Sequence, residues 1–309
     1  MSAVDSWTDL LDPTPEQLHA ALPGSVHESA LEQLEAPARH DDEPRPKLES
    51  HGNYVFGVFL IPVVVPAEDL VYYQELDLIA THDMLLTVRK TPTSGRAPFE
   101  SASAREACRE HEAMGMILYH LVDDVAECYL DLVDGLNDEI DELEDNVEAW
   151  PNERVRQRLS DLRHDILHIR RTLAPMRDAV RAVVDNRIEL DAPATGNAEL
   201  FTHDVELAFG AAYDKFLRAF DGLELSRDLI ASVRDYHVAK VANDQNEVMK
   251  RLTVIASVLL LPTFIVGLYG QNFHHIPELG WGFGYWWAWG WIVATTIAQL
   301  AFFRWKRWV

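Results

Sequence analysis

Apolar positions recur along this chain in two different periods and, towards its end, merge into continuous runs. Tyr54 to Val65 is dense in Val, Phe and Ile, and Leu70 to Ala80 and Met84 to Val88 are shorter apolar or alternating runs. That pattern belongs to strands, and it predicts an antiparallel sheet within a small α/β domain over residues 1–102. Thr14-Pro15-Glu16-Gln17 predicts a capping box with proline at the first helical position. Glu35 to Ser50, rich in proline and charge, predicts a surface connection.

From Ser103 onward the period becomes helical. Residues 123–148 hold twelve Asp or Glu and no Lys or Arg, whereas residues 154–187 hold nine Arg against four Asp. Trp150-Pro151-Asn152 separates the two, so residues 103–198 should form an antiparallel hairpin with its acidic arm against its basic arm. After a break at Asp191 to Asn197, Phe209, Tyr213, Phe216, Phe220, Leu223 and Ile230 recur at coiled-coil-like spacing. No stop signal intervenes before Leu252, so a stalk helix over residues 199–272 should continue into the next segment without interruption.

That next segment has no period. Leu252 to Tyr269 and Tyr285 to Phe303 carry no formal charge. At about 1.5 Å per residue each covers roughly the hydrocarbon thickness of a bilayer. Two transmembrane helices are therefore expected, the second within residues 285–309, with an extracytoplasmic loop over 273–284. Lys250 and Arg251 precede the first span, and Arg304, Lys306 and Arg307 follow the second. Basic flanks stay cytoplasmic, which places both termini in the cytosol and the protein in a cell membrane. Trp281, Tyr285, Trp286 and Trp287 would lie at the outer interface, and Trp305 and Trp308 at the inner one.

Charge sharpens this picture. The net charge is −23, yet the only charges after Arg251 are Glu278 and three basic side chains in the tail, which leaves −25 on the preceding part. Such a body repels nucleic acid and attracts cations. The two cysteines, Cys108 and Cys128, do not make a disulfide framework. Cys108 and His111 stand three apart, but one such pair does not close a metal site. No P-loop, G-x-S-x-G, H-E-x-x-H or spaced Cys/His zinc motif is present, so no enzyme is expected. Gly270-Gln271-Asn272, between the two spans, suits the presentation of amide oxygens to a passing ion.

Asn246-Glu247-Val248-Met249-Lys250, Leu252-Thr253, Thr263-Phe264-Ile265, Gly267 to Phe273 and Pro277-Glu278-Leu279 together resemble the C-terminal signature of the CorA family of magnesium transporters. Trp7-Thr8-Asp9-Leu10, Asp12-Pro13-Thr14 and Arg45-Pro46-Lys47 extend the likeness upstream. The resemblance implies an α+β cytosolic domain, long helices and two C-terminal spans in a funnel-shaped homopentamer. Each first span would line an axial pore, with Gly270, Gln271 and Asn272 as the selectivity filter. A ring of amide oxygens can hold Mg2+ through its water shell, which that ion gives up reluctantly.

In the family's register, Asp235, Asn246, Leu252, Leu260, Thr263 and Gly267 would line the path, with Glu278 and the loop residues His274 and His275 at the mouth. Leu260 stands where methionine is usual, and Leu252 and Leu260 equally suit packing against lipid. Gln271 replaces the methionine of the magnesium transporters, and imidazoles suit Zn2+, Co2+ or Ni2+ better than Mg2+. Mg2+ leads, with those ions behind it. A proton-coupled zinc carrier and a non-conducting, membrane-anchored interaction protein remain alternatives. Ala211 occupies one of the family's regulatory aspartate positions, and Asp214, one turn on, is the candidate to replace it as a regulatory metal ligand.

Overall fold

The structure, a computed structural model, describes residues 6–38, 43–65, 70–93, 96, 98–110, 112–191, 199–271 and 276–308. They divide into two compact units, 1–233 and 234–309.

The first unit is built on five strands: β1 (Trp7–Leu11), β2 (Lys47–Ser50), β3 (Val55–Val65), β4 (Leu70–Ala80) and β5 (Leu85–Arg89), in the order β1-β5-β4-β3-β2. The three expected strands are present, but the sheet is mixed rather than antiparallel. β1 pairs parallel with β5, Trp7 opposite Leu85, while the other pairings are antiparallel. Neither added strand has a strong alternation of its own. β1 is held by side-chain bonds to β5, where Trp7 Nε1 donates to Thr87 Oγ1 at 3.0 Å and Arg89 pairs with Asp9 at 2.9 Å. β2 lies inside the segment predicted as a surface connection, at the sheet's edge.

Period-two alternation divides the sheet's side chains between two cores. Phe56, Ile79, Leu86 and Val88 pack with Leu18 of α1 (Pro15–Ala21) and Leu34 of α2 (Glu28–Glu35). Phe59, Leu78 and Leu85 join the larger core formed with the long helices. The capping box at Thr14 forms as predicted, both reciprocal bonds included.

A short helix, α3 (Ala102–Ala107), precedes the hairpin of α4 (Met114–Asn146) and α5 (Asn152–Val184), each 33 residues long. Leu132, Leu136, Ile140 and Leu143 of α4 and Val155, Leu159, Leu162 and Ile166 of α5 are buried at helical spacing in the same apolar cluster. Opposed charge contributes less than its sequence pattern suggests. Glu139 pairs with Arg158 across the arms at 2.9 Å, whereas Arg156 pairs with Glu153 within α5 and Arg181 with Asp185 at its C-cap. Exposed pairs of that kind contribute about 0–1 kcal/mol each. At the start of α4, a Cβ on Gly115 would lie 2.1 Å from the Leu200 carbonyl oxygen, so glycine permits the close backbone approach there.

The third long helix, α6 (His203–Tyr269), runs for 67 residues. It begins four residues later than expected; most of the preceding break lies outside the described residues. Of its predicted seam, Phe209, Phe216, Leu223 and Ile230 are buried, and Tyr213 and Phe220 are half-buried against the same core. The division between the two units falls within α6. After it come a 3-10 turn, Pro277–Gly280, and α7 (Gly284–Trp305).

Candidate ion-conducting segment

The last turns of α6 carry the site. Pro262 lies inside the helix and has no N–H to return to the Val258 carbonyl, yet the helix continues past it. Threonine hydroxyls turn inward on the same helix: Thr253 Oγ1 donates to the Met249 carbonyl at 2.8 Å and Thr263 Oγ1 to the Leu259 carbonyl at 2.7 Å. Each hydroxyl is satisfied without water, which suits an apolar medium. The helix closes with Gly270 N donating to the Val266 carbonyl at 2.9 Å and Gln271 N to the Leu268 carbonyl at 3.4 Å.

At about 100° per residue, Asp235, Asn246, Leu252, Leu260, Thr263 and Gly267 fall within an arc of roughly 120° on α6, and Gly270 and Gln271 follow directly after its end. Leu252 and Leu260 are 56% and 71% exposed in the single chain, and a Cβ on Gly267 would meet nothing within 4 Å. Asp235 is not a free carboxylate: Arg234 pairs with it at 3.0 Å. Asn246 and Asp214 are exposed. Next to Asp214, Lys215 bridges Asp123 and Glu127 of α4 at 2.9 and 2.7 Å, and these two carboxylates raise its pKa against its partial burial. Asn272, His274 and His275 lie outside the described residues.

Glu278 is half-buried on the 3-10 turn. A Cβ on Gly284 would lie 2.4 Å from the Glu278 carbonyl oxygen, so glycine lets the turn sit on the start of α7. Trp281 stacks with Phe283 and meets Trp287 edge-on, at centroid separations of 5.1 and 6.1 Å. Gln299 Nε2 of α7 donates to the Ser257 carbonyl of α6 at 3.1 Å.

Among the described residues, one helix, α6, is long and apolar enough to cross a membrane. The predicted second span does form a helix: α7 has 22 residues, about 33 Å at 1.5 Å per residue. Its indole rings, at Trp286, Trp287, Trp289 and Trp291, make it less apolar than the first.

Two further groups of titratable side chains lie in the first unit, and sequence reasoning missed both. Lys90 is buried between Glu75 and Asp77 of β4, 2.7 Å from Asp77, and donates to the Gln33 carbonyl at 2.6 Å. One ammonium there serves two carboxylates. Burial first, and then Glu75, push the Asp77 carboxyl up to about 8 against the pull of Lys90. The signal for this group was available in the sequence: two acids two residues apart put both carboxylates on one face of an otherwise apolar strand.

The second group gathers three residues from the α3–α4 connection and the elements on either side of it. Cys108, Glu112 and His120 bring ligand-type atoms within 4.8 Å of one another. Burial, then Glu112, push the Cys108 thiol up to about 11. His111, the partner weighed for Cys108 in the sequence, lies outside the described residues.

Comparison with known proteins converges on one family. The family described as CorA-like Mg2+ transporter protein matches residues 4–307. The cobalt/magnesium transport protein CorA of Thermotoga maritima is 28% identical over 271 residues, covering 86% of this chain and 73% of the relative. The complete structure of the CorA magnesium transporter from Methanocaldococcus jannaschii superposes with a TM-score of 0.76 at 21% identity, over 98% of this chain and 91% of the other. The full-length CmaX structure gives a TM-score of 0.67 at 22% identity, over 98% of this chain and 88% of the other. At these identities the two structures establish the fold, and the family match establishes the kinship. The chain belongs to the CorA-like Mg2+ transporter family and is a divalent-cation transporter.

Proposed function

We propose that this chain forms a homopentameric, potential-driven uptake pathway for divalent cations in the cell membrane, with Mg2+ as its leading substrate. Glu278 raises the local cation concentration at the mouth. Gly270, Gln271 and Asn272 from five chains select the ion by hydrogen bonding to its water shell. Thr263, Leu260, Leu252 and Asn246 line the way inward, with Gly267 allowing close approach and Asp235 receiving the ion in the funnel neck. An inside-negative potential supplies the drive. One charge crossing 100 mV releases about 2.3 kcal/mol, and a divalent ion about twice that.

The observation that carries this reading is that Asp235, Asn246, Leu252, Leu260, Thr263 and Gly267 share one side of α6, the helix that ends in the uncharged run Leu252 to Tyr269. That face is open in the isolated chain. Fivefold repetition around an axis would turn each modest polar group into a ring. In the same reading α7 is the second span, forming an outer ring, and both termini are cytoplasmic. The organisation follows: an α/β domain over 1–102, a helical hairpin over 103–198, a stalk and first span over 199–272, an outer loop to 284 and the second span beyond.

Intracellular Mg2+ bound between neighbouring acidic bodies, with Asp214 among its ligands, relieves their repulsion and favours the closed state. An unchanged protease sensitivity and unchanged current in 10 mM Mg2+ would overturn that gating scheme.

A second reading, transport of Zn2+, Co2+ or Ni2+, rests on Gln271 in place of methionine and on the imidazoles of His274 and His275. Metal-resolved flux from reconstituted vesicles, comparing the native chain with Gln271→Met, tests both. Mg2+ entry that follows membrane potential alone supports the first reading. Entry of Zn2+ that follows an imposed pH gradient would replace it with the second. No flux of any divalent ion would favour a non-conducting interaction protein.

A further inference from the structure

A group of metal-ligating side chains lies well away in sequence from every residue of the conducting segment. Cys108 is the C-cap of α3, Glu112 stands in the connection that follows, and His120 is in the second turn of α4. The connection folds back so that the thiol, carboxylate and imidazole converge, their nearest ligand atoms all within 4.8 Å of one another. All three residues are half-buried, open enough for an ion to enter.

Their internal hydrogen bonding leaves this convergence unexplained. Cys108 Sγ donates to the Ala104 carbonyl of its own helix at 3.1 Å. Glu112 Oε2 accepts from the Arg109 backbone N–H at 2.8 Å. His120 Nε2 is inaccessible to water and stands 3.4 Å from Glu112 Oε2 without a hydrogen-bonding partner among the described residues. An imidazole nitrogen turned inward and left unsatisfied is costly, and native structures rarely leave one so. A metal ion at the centre would satisfy it.

We propose that Cys108, Glu112 and His120 form a binding site for a borderline-soft divalent ion, Zn2+ or Co2+, in the first unit. One thiolate, one imidazole and one carboxylate match the donor preferences of those ions and not those of Mg2+, which takes oxygen ligands in octahedral array. Tetrahedral zinc sets its ligand atoms roughly 3.3–3.8 Å apart, so side-chain rotations close the present separations. Three protein ligands leave a fourth position for water. Asp124, one turn beyond His120 on α4, is near enough for the two to feel each other's charge and would act from outside the ligand set. The ion would clip the α3–α4 connection to the helix that follows it. The site stands independently of the transport pathway, which has no thiol among its proposed residues.

The test uses the full-length chain in detergent micelles, titrated with Co2+ alone. A sulfur-to-metal charge-transfer band should appear, saturate at one equivalent per chain and disappear when Zn2+ is added. It should persist in Cys128→Ser, which removes the other thiol, and vanish in Cys108→Ser. Loss of a direct ligand in His120→Gln should weaken Zn2+ binding by more than the roughly 10–100-fold typical of losing an outer partner. Zn2+, and not Mg2+, should also slow alkylation of Cys108 while leaving Cys128 unaffected. A folded wild-type chain without the band, a band that survives Cys108→Ser, or native Zn2+ affinity in His120→Gln would each overturn the proposal. Because no step in transport depends on this thiolate, such a failure leaves the conducting segment untested and intact.

Discussion

Residues 1–233 and 234–309 treat apolar side chains in opposite ways. In the first unit Phe56, Phe59, Tyr129, Phe209 and Phe216 are almost wholly inaccessible, and even polar Lys90 is buried with its own partners. In the second, Val254 and Phe303 are the buried hydrophobic residues among those described, while Leu259, Leu260, Phe264, Tyr285 and Trp286 are each more than 60% exposed. The same hydrophobic driving force is met within the chain in one case and left for the surroundings in the other. A polypeptide that exposes so much apolar helix must cover it with lipid or with further copies of itself. The contrast thus separates a unit that buries its own apolar side chains from one that leaves them for its surroundings to cover.

Substitutions in each unit test whether the two differ in this way. The largest effect is expected at Lys90. Lys90→Ala leaves Glu75 and Asp77 buried without their ammonium and should destabilise the first unit by about 3–5 kcal/mol. Hydrogen exchange of the β4 amides under increasing urea would measure it. A matched pair comes next. Phe216→Ala should cost about 3–5 kcal/mol by leaving a cavity, whereas Leu260→Ala should shift the same unfolding transition by less than about 0.5 kcal/mol. Equal losses in the two variants would erase the distinction between the units.

The same buried acids make stability depend on pH. The Asp77 carboxyl is held at about 8 in the fold, above its ordinary value of 3.8. The proton bound by the native state favours folding at low pH, and that contribution is lost as pH rises from about 4 to about 8. Asp77→Asn is neutral throughout, so its stability relative to the native chain should improve steadily across that range. A difference that stays flat with pH would show that Asp77 is ionised in the fold. The smallest effect is at the first helix, where Thr14→Ala should cost about 1 kcal/mol by removing the cap, measured by the same exchange experiment.

Legibility in the sequence follows the range of the physics involved. Local signals were plain: the capping box at Thr14, the three strands with strong β patterning, the proline break at Pro151 and the uncharged run after Arg251. β1 and β2 were not, because Trp7 to Leu11 become a strand only through partners 78 residues away, and Lys47 to Ser50 only through their pairing with β3. The acidic and basic arms were legible, but their charge pattern overstated what holds them, since the seam between them is apolar. Of the candidate segment, the helix and its uncharged run were readable from the sequence pattern. Convergence of Cys108, Glu112 and His120 was not, because a loop brings them together and no spacing rule encodes that loop.

In the proposed pathway, divalent cations cross a membrane past Gly270-Gln271-Asn272 and along one side of α6. Its most direct test is Mg2+ entry into vesicles reconstituted with the full-length chain, under an inside-negative potential, with and without Asn272→Ala. Native protein should take up Mg2+ in proportion to the imposed potential. Losing one amide from every chain of a ring should cost at least about 1.4 kcal/mol at the barrier, a fall in rate of tenfold or more. Uptake that is absent in the native protein, or unchanged in an assembled Asn272→Ala variant, would contradict the account.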